Sequence, residues 1–242
     1  MKRLIDLLAA VLGLILASPI LVPACFLIWL QDRHSPLYIA ERVGKNRRPF
    51  QMIKLRSMVQ KADQKGVDST AGDDKRITPV GHWIRQWKLD ELSQLWNVVQ
   101  GDMSLVGPRP NVPREVKNYT EAELGLLDIR PGITDISSIV FSDEGEILMG
   151  AEDPDLKYHQ IIRPWKSRLG LLYVQQSRLI VDLKIIFLTI TNTFQRTWTL
   201  QCLSRIVAQL GGDAELIEVT SRSKPLSAKP PPGADRVIQR RG

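Results

Sequence analysis

A chain of 242 residues is long enough for one domain of ordinary size with an appendage, and 33 Lys and Arg against 26 Asp and Glu leave a net charge of +7. That excess suits anionic partners such as phosphates or a lipid surface, and on charge alone nucleic acid fits equally well. Two cysteines, Cys25 and Cys202, exclude a disulfide framework and a metal-ligand cluster, in agreement with a reducing cytosolic side.

From Leu7 to Leu30 no charged residue occurs, a run of about 24 residues and enough to cross a hydrocarbon core as a helix. A signal peptide is the rival reading, with Val22-Pro23-Ala24 as a passable cleavage site, but the apolar run continues past it through Phe26-Leu27-Ile28-Trp29-Leu30. Lys2 and Arg3 precede the run and Arg33, Arg42, Lys45, Arg47 and Arg48 follow it, so basic residues on both sides suggest that both ends face the cytoplasm. Ser18-Pro19 stands at its middle. Proline removes one hydrogen bond of the ladder, which predicts a bend there, and the serine hydroxyl could satisfy the freed carbonyl. Composition alone leaves a kinked but spanning helix equally open.

Leu37 to Ala40 and Phe50 to Leu55 read as two short strands around a turn from Gly44 to Pro49, with Lys54 and Arg56 on one face. Lys61 to Thr78 is polar and lacks apolar periodicity, the pattern of a mobile loop or ordinary surface. Pro79 to Lys88 reads as helical, and Trp83 and Trp87 at i,i+4 suit either a membrane interface or the core.

The chain is organised around Trp87 to Pro110. Leu89, Leu92, Leu95, Trp96 and Val99 recur at helical spacing, so an amphipathic helix runs from about Asp90 and is followed by the rigid basic loop Gly107-Pro108-Arg109-Pro110. On helix grammar alone Asp90 is a cap and Glu91 a first-turn acid. Lys54, Arg56, Arg85, Lys88 and Arg109 in the flanking segments add a second reading. Cations around paired carboxylates suit a phosphate substrate, with one acid attacking phosphorus and its neighbour holding a divalent metal.

Pro113 to Leu127 then reads as an amphipathic helix and Arg130 to Thr134 as a turn. Asp143, Glu144 and Glu146 lack a calcium-loop spacing and read as a solvated face. A helical run spans Ser177 to Thr193, in which a structural ion pair is the expected role of Asp182 and Lys184. Leu200 to Leu210 forms a further amphipathic helix, suited to the membrane surface or to self-association. From Ser221 onward the chain is basic and proline-rich, and disorder is expected.

Several of these stretches resemble the bacterial sugar transferases, monotopic polyprenyl-phosphate phosphoglycosyl transferases. The resemblance rests on Lys2-Arg3-Leu4-Ile5-Asp6 with Ser18-Pro19, Lys54-Leu55-Arg56-Ser57-Met58, Leu89-Asp90-Glu91-Leu92, Gly101-Asp102-Met103-Ser104, Gly107-Pro108-Arg109-Pro110, Arg130-Pro131-Gly132-Ile133-Thr134 and Asp182-Leu183-Lys184-Ile185. They occur in this order over residues 2 to about 194. Ser93 stands where the family usually has proline, and Asp135 where it commonly has glycine.

The resemblance implies an α+β, mostly helical protein with a small β-hairpin, interfacial amphipathic helices and a re-entrant membrane helix broken at Ser18 and Pro19. Residues 1–35 would be the membrane-embedded segment, 36–198 the catalytic domain, 199–220 a helical extension and 221–242 a disordered tail. It implies transfer of a phospho-sugar from a UDP-sugar to a polyprenyl phosphate, with release of UMP, as the first membrane step of surface glycan synthesis. Asp90 would be the covalent nucleophile and Glu91 the ligand of Mg2+, while Lys54, Arg56, Arg85, Arg109 and Pro110 would bind substrate. Membrane lipid is then the expected partner and nucleic acid is not, homo-oligomers are allowed, and the location is the cytoplasmic face of a bacterial inner membrane. Rival readings are a membrane-anchored protein that binds nucleic acid or anionic lipid, and a metal-dependent phosphohydrolase.

Overall fold

The computed structural model describes residues 1–62 and 72–239 of the chain. Half of the polar loop expected over 61–78, residues 63–71, therefore lies outside the described residues. The chain opens with α1 (Lys2–Asp32), 31 residues of helix that contain both Pro19 and Pro23. The break expected at Ser18-Pro19 does not appear; the helix runs through it. Pro19 leaves the carbonyl of Ile15 without its ladder donor, and the Ser18 hydroxyl supplies one at 2.8 Å.

One face of α1 is packed along its whole length. Ala10, Ala17, Ala24 and Ile28 are buried, and small side chains there allow the close approach of the helices beneath. The opposite face leaves Leu4, Leu8, Leu12, Ile15, Leu16, Val22 and Phe26 exposed. Both ends are tied to the body. Lys2 donates to the Val106 carbonyl and pairs with Asp182 at 2.5 Å, and Arg3 donates to the carbonyls of Val98 and Val99. At the other end Arg56 grips Asp32 with two bonds of 2.5 and 2.7 Å.

The expected hairpin forms from β1 (Leu37–Val43) and β2 (Pro49–Leu55), antiparallel, with Tyr38 opposite Lys54 and Arg42 opposite Phe50. Beyond the hairpin come α2 (Pro79–Gln86), α3 (Leu89–Leu92) and α4 (Leu95–Gln100). Asn97, fully buried in α4, holds the outer edge of β2: its Nδ2 donates to Gln51 O at 2.7 Å and its Oδ1 accepts from Ile53 N at 3.0 Å. Ser93, in the position of the family's usual proline, donates to the Ile53 carbonyl. Trp83, Trp87 and Trp96 are exposed, so they do not serve the core.

Two three-residue strands, β3 (Ser104–Val106) and β4 (Gly132–Thr134), pair in parallel. Between them the single helix expected over 113–127 is divided into α5 (Pro113–Lys117), α6 (Glu121–Leu124) and a 3-10 turn (Gly125–Leu127). Thr120 and Glu123 form a reciprocal capping box, which starts a new helix where one continuous helix was read. α7 (Ile136–Val140), α8 (Glu144–Leu148) and α9 (Pro154–Ile161) follow.

α10 (Arg163–Gln176), α11 (Leu179–Asn192), α12 (Arg196–Gln209) and α13 (Ala214–Ser221) build the largest core together with α7. Leu200, Leu203 and Val207 of α12 are buried in it. The apolar face expected to lie on a membrane or another copy is thus spent inside the chain. The tail also departs from expectation. Residues 222–239 lie against the body: Trp165 donates to Ser227 O, Arg168 to Pro230 O at 2.9 Å and Gln160 to Ile238 O at 2.9 Å. Proline-rich backbone offers carbonyls without competing donors, which suits this docking.

Candidate active site

Asp90 and Glu91 sit in the first turn of α3, and a turn in the backbone aims them. Lys88, the N-cap of α3, lies in the left-handed region (φ 52), a conformation usually left to glycine or asparagine, and its carbonyl accepts from Glu91 N. Asp90 therefore lies one residue inside the helix rather than capping it. It faces a cavity of about 1280 Å³ whose wall includes Tyr38, Arg42, Lys54, Arg85, Lys88, Gln94, Arg109, Ser138 and Asn192.

Lys54 Nζ stands 3.6 Å from Asp90 Oδ2. That is an ion pair beyond hydrogen-bond length, so the lysine neutralises the carboxylate without occupying its lone pairs. Burial depresses the Lys54 ammonium and Arg109 depresses it further, while Asp90 and Glu91 oppose the fall. Glu91 is clasped by Arg109, with NH2 2.7 Å from Oε1. Burial works against the Glu91 charge, but Arg109, Lys54 and Lys88 together hold its carboxyl down at about 2. The Arg109 guanidinium is raised above its ordinary value, chiefly by Glu91.

Arg109 is placed by two backbones in contact. A Cβ on Gly107 would meet the Arg130 carbonyl at 2.3 Å, and one on Gly132 would meet Gly107 N at 2.0 Å. Gly132 N donates to Pro108 O and Gly107 N to Thr134 O, each at 3.1 Å. The Gly-Pro-Arg-Pro and Arg-Pro-Gly-Ile-Thr stretches thus form one unit that fixes the arginine. Pro110 lies buried in the same wall.

Lys54, Arg85, Arg109 and Pro110 are thus gathered with Asp90 and Glu91. Arg56 also lines the cavity, and its guanidinium donates to Asp32 and to the Ser35 carbonyl, which anchors the end of α1. Ser18 and Pro19 lie within α1, away from this cavity. The acids read as a solvated face are also engaged: Asp143 holds Arg196 and Arg222 at 3.0 and 3.1 Å, and Glu144 pairs with Lys166 in the cavity wall. Asp135 caps α7 through Ser138 N at 2.6 Å and is buried, so it contributes architecture rather than a pocket side chain.

Arg42 and Arg114 add to the cationic wall and were not singled out from sequence. Burial depresses the Arg42 guanidinium, as do Arg109 and Arg114. The hairpin register held the signal for Arg42: opposing residues share a face and faces alternate along a strand, so Arg42, four pairs from Tyr38 and Lys54, points the same way as they do.

Among the described residues no group of three or more acidic, histidine or cysteine side chains is arranged to enclose a metal ion. Magnesium nonetheless needs only one or two protein carboxylates when substrate phosphates and water complete its shell. Asp90 and Glu91, side by side in a cavity suited to phosphate, fit that donor set. The two chemistries open to this arrangement are phosphoryl transfer through a carboxylate and phosphate binding without turnover.

The family profile described as bacterial sugar transferase matches residues 1–196. The chain is 34% identical over 196 residues to UDP-N-acetylgalactosamine-undecaprenyl-phosphate N-acetylgalactosaminephosphotransferase of Aeromonas hydrophila, covering 78% of this chain and 42% of that protein. It is 36% identical to undecaprenyl-phosphate glucose phosphotransferase of Komagataeibacter xylinus, over 78% of this chain and 35% of that one. Against exopolysaccharide production protein ExoY of Sinorhizobium fredii the identity is 33%, over 84% of this chain and 86% of the relative. The chain thus spans well under half the length of the first two and most of the third. With a profile match that takes in the hairpin, the paired acids, the Arg109 loop and α11, the chain belongs to the bacterial sugar transferase family.

Proposed function

We propose that this protein transfers a sugar 1-phosphate from a UDP-sugar to a polyprenyl phosphate at a membrane surface. The observation that carries the reading is the unequal pair. Asp90 opens to the cavity beside Lys54 without a hydrogen bond to it, whereas Glu91 is held by Arg109. A nucleophile must keep a lone pair free, and Asp90 does.

In the first step an Asp90 carboxylate oxygen attacks the β-phosphorus, the bridging P–O bond to the α-phosphate breaks, and UMP leaves with its electrons. An oxygen of the polyprenyl phosphate then attacks the aspartyl phosphorus, returning Asp90 as carboxylate and forming a polyprenyl diphosphate sugar. Lys54, Arg109, Arg85 and Arg42 supply fixed positive charge around phosphate oxygens, so the charge that moves during transfer is met without reorganisation. Glu91, with Asp90, would hold Mg2+, which when bound neutralises phosphate charge.

The membrane role follows from α1 and α11. Exposed Leu, Ile, Val and Phe side chains on α1, and Ile180, Leu183, Phe187 and Ile190 on α11, form apolar faces that water disfavours. With both ends of α1 tied to one body, the helix would enter and leave by one face, the cytoplasmic face of the inner membrane. Incubation with a panel of UDP-sugars and undecaprenyl phosphate, reading UMP release, tests the reading. UMP release without a lipid-linked product would instead indicate a phosphohydrolase, and salt-sensitive binding of nucleic acid without turnover would indicate a binding protein.

A further inference from the structure

Among the described residues two buried side-chain polar atoms lack a hydrogen-bond partner, Gln94 Nε2 and Asn192 Oδ1. Both residues line the cavity that holds Asp90. Folded proteins satisfy nearly all buried polar atoms, so an orphan marks either local strain or an absent partner. Strain does not account for Gln94. Its backbone is right-handed helical (φ −67, ψ −15), and its N–H donates to Glu91 O at 3.1 Å.

Gln94 is 2% exposed. It follows Glu91 by three residues and Asp90 by four, the spacing that puts side chains on one face of a helical turn. Gln94, Asp90 and Glu91 line the same cavity, and the Gln94 amide nitrogen is left without a hydrogen-bond partner. An N–H so placed, in a wall that also carries Lys54, Arg85 and Arg109, lacks an acceptor within the chain, and a bound ligand can supply one. The surrounding cations select an anionic oxygen for that acceptor.

We propose that Gln94 contacts substrate directly, its side-chain amide donating a hydrogen bond to an oxygen of the phosphoryl group that Asp90 attacks. The inference rests on the transfer reaction proposed above and adds a neutral donor to its charged ones. Donor diphosphate and acceptor phosphate both present such oxygens; the i,i+4 spacing from Asp90 along one helical turn assigns the contact to the group under attack. A neutral amide orients that group by direction, which a lysine, acting as a point charge, does not.

Gln94→Met keeps the length of the side chain and removes the donor, and Gln94→Glu replaces the donor with a charge that repels phosphate. Each is compared with the unmodified chain by thermal melting, by the rate of aspartyl adduct formation from UDP-sugar without lipid, and by KM for each substrate. Gln94→Met should melt at or above the parent temperature, since an apolar group replaces an unsatisfied one. Its adduct formation should slow about tenfold or more, the loss expected when a hydrogen bond to a charged group goes. Gln94→Glu should be slower still. Adduct formation by Gln94→Met at the parental rate would overturn the proposal. So would a lower melting point with unchanged kinetics, which would assign Gln94 to packing, or a defect confined to KM for the lipid, which would move the contact to the acceptor. An unmodified chain that neither forms adduct nor releases UMP would sink the transfer reaction itself, and the Gln94 contact with it.

Discussion

Asp90 and Glu91 are adjacent and chemically alike, yet their surroundings separate them: one faces Lys54 at 3.6 Å, the other is bound by Arg109 at 2.7 Å. Asp90→Asn keeps the shape and loses the nucleophile, so turnover should fall on the order of a thousandfold or more and no phospho-sugar should remain on the protein. Glu91→Gln should lower the rate with partial recovery at high magnesium. Peptide mass spectrometry after incubation with UDP-sugar alone decides between them; label on Glu91 would reverse the roles. The electrostatics make a second prediction. Glu91 is held at about 2 against an ordinary 4.5, so its contribution to stability is complete above 4.5 and is lost as pH falls through about 2. Arg109→Ala leaves burial opposed only by Lys54 and Lys88, which raises the Glu91 pKa. The acid limb of turnover should move to higher pH and acid unfolding should begin earlier; an unmoved limb in a pH–rate profile would show that Glu91 does not titrate with activity. The grouping of Asp90, Glu91, Lys54 and Arg109 around one cavity was legible in sequence because short motifs carry them. The pairing of Arg56 with Asp32 was not legible, since a short motif does not reveal a partner 24 positions earlier.

Among elements, the paired strands β3 and β4 matter beyond their length, because the loop between Gly107 and Pro110 is aimed by the contact of Gly107 with Gly132. Gly107→Ala places a methyl about where the Arg130 carbonyl lies. The strands must separate, at a cost of about 1–3 kcal/mol by analogy with overpacked cores, and Arg109 moves away from Glu91. Loss of stability by denaturant unfolding and a rise in KM for UDP-sugar are both expected; a variant with native stability would show that the contact can relax. Asn97 offers a separable test. Asn97→Ala leaves the Gln51 carbonyl and the Ile53 amide without their partner, for about 2–3 kcal/mol, while no cavity-lining side chain is removed. Sequence periodicity found the hairpin, α4 and α11, whose patterns are long or strictly alternating. It ran α5, α6 and the following 3-10 turn together, because capping by Thr120 and Glu123 outweighs a continuous apolar pattern. It gave α13 no bounds of its own within the helical extension over 199–220, since Asp213 caps only eight residues there.

At the scale of the whole molecule, composition foretold a disordered tail, and the folded core supplies what composition omits: donors on Trp165, Arg168 and Gln160 that receive it. Deleting residues 222–242 should therefore lower stability by on the order of 2 kcal/mol or more, from several lost hydrogen bonds. Turnover of the folded fraction should stay near that of the full chain, since the tail contributes no wall to the cavity. Melting and specific activity measured together check this. The topology prediction depends on the same body. α1 is about 46 Å long at 1.5 Å per residue, more than a hydrocarbon core requires, and length alone would allow it to span. Its attachments argue otherwise. Lys2 is bound to Asp182, which also accepts from Tyr173, and Asp32 is bound to Arg56, so both ends of the helix contact the single body that holds the cavity. Crossing the bilayer would detach one end and leave Asp182 or Arg56, each buried here, without its partner. Both ends should accordingly lie on the cytoplasmic face. Single cysteines placed beside Met1 and at Ser35, in a chain cleared of Cys25 and Cys202, should react with a membrane-impermeant maleimide only after the cells are opened. Ser18→Ala with Pro19→Leu should not change that pattern, because the end attachments rather than the proline hold the helix to the body. Labelling of the Met1 site in intact spheroplasts would establish a spanning helix and require the contact between Lys2 and Asp182 to be abandoned.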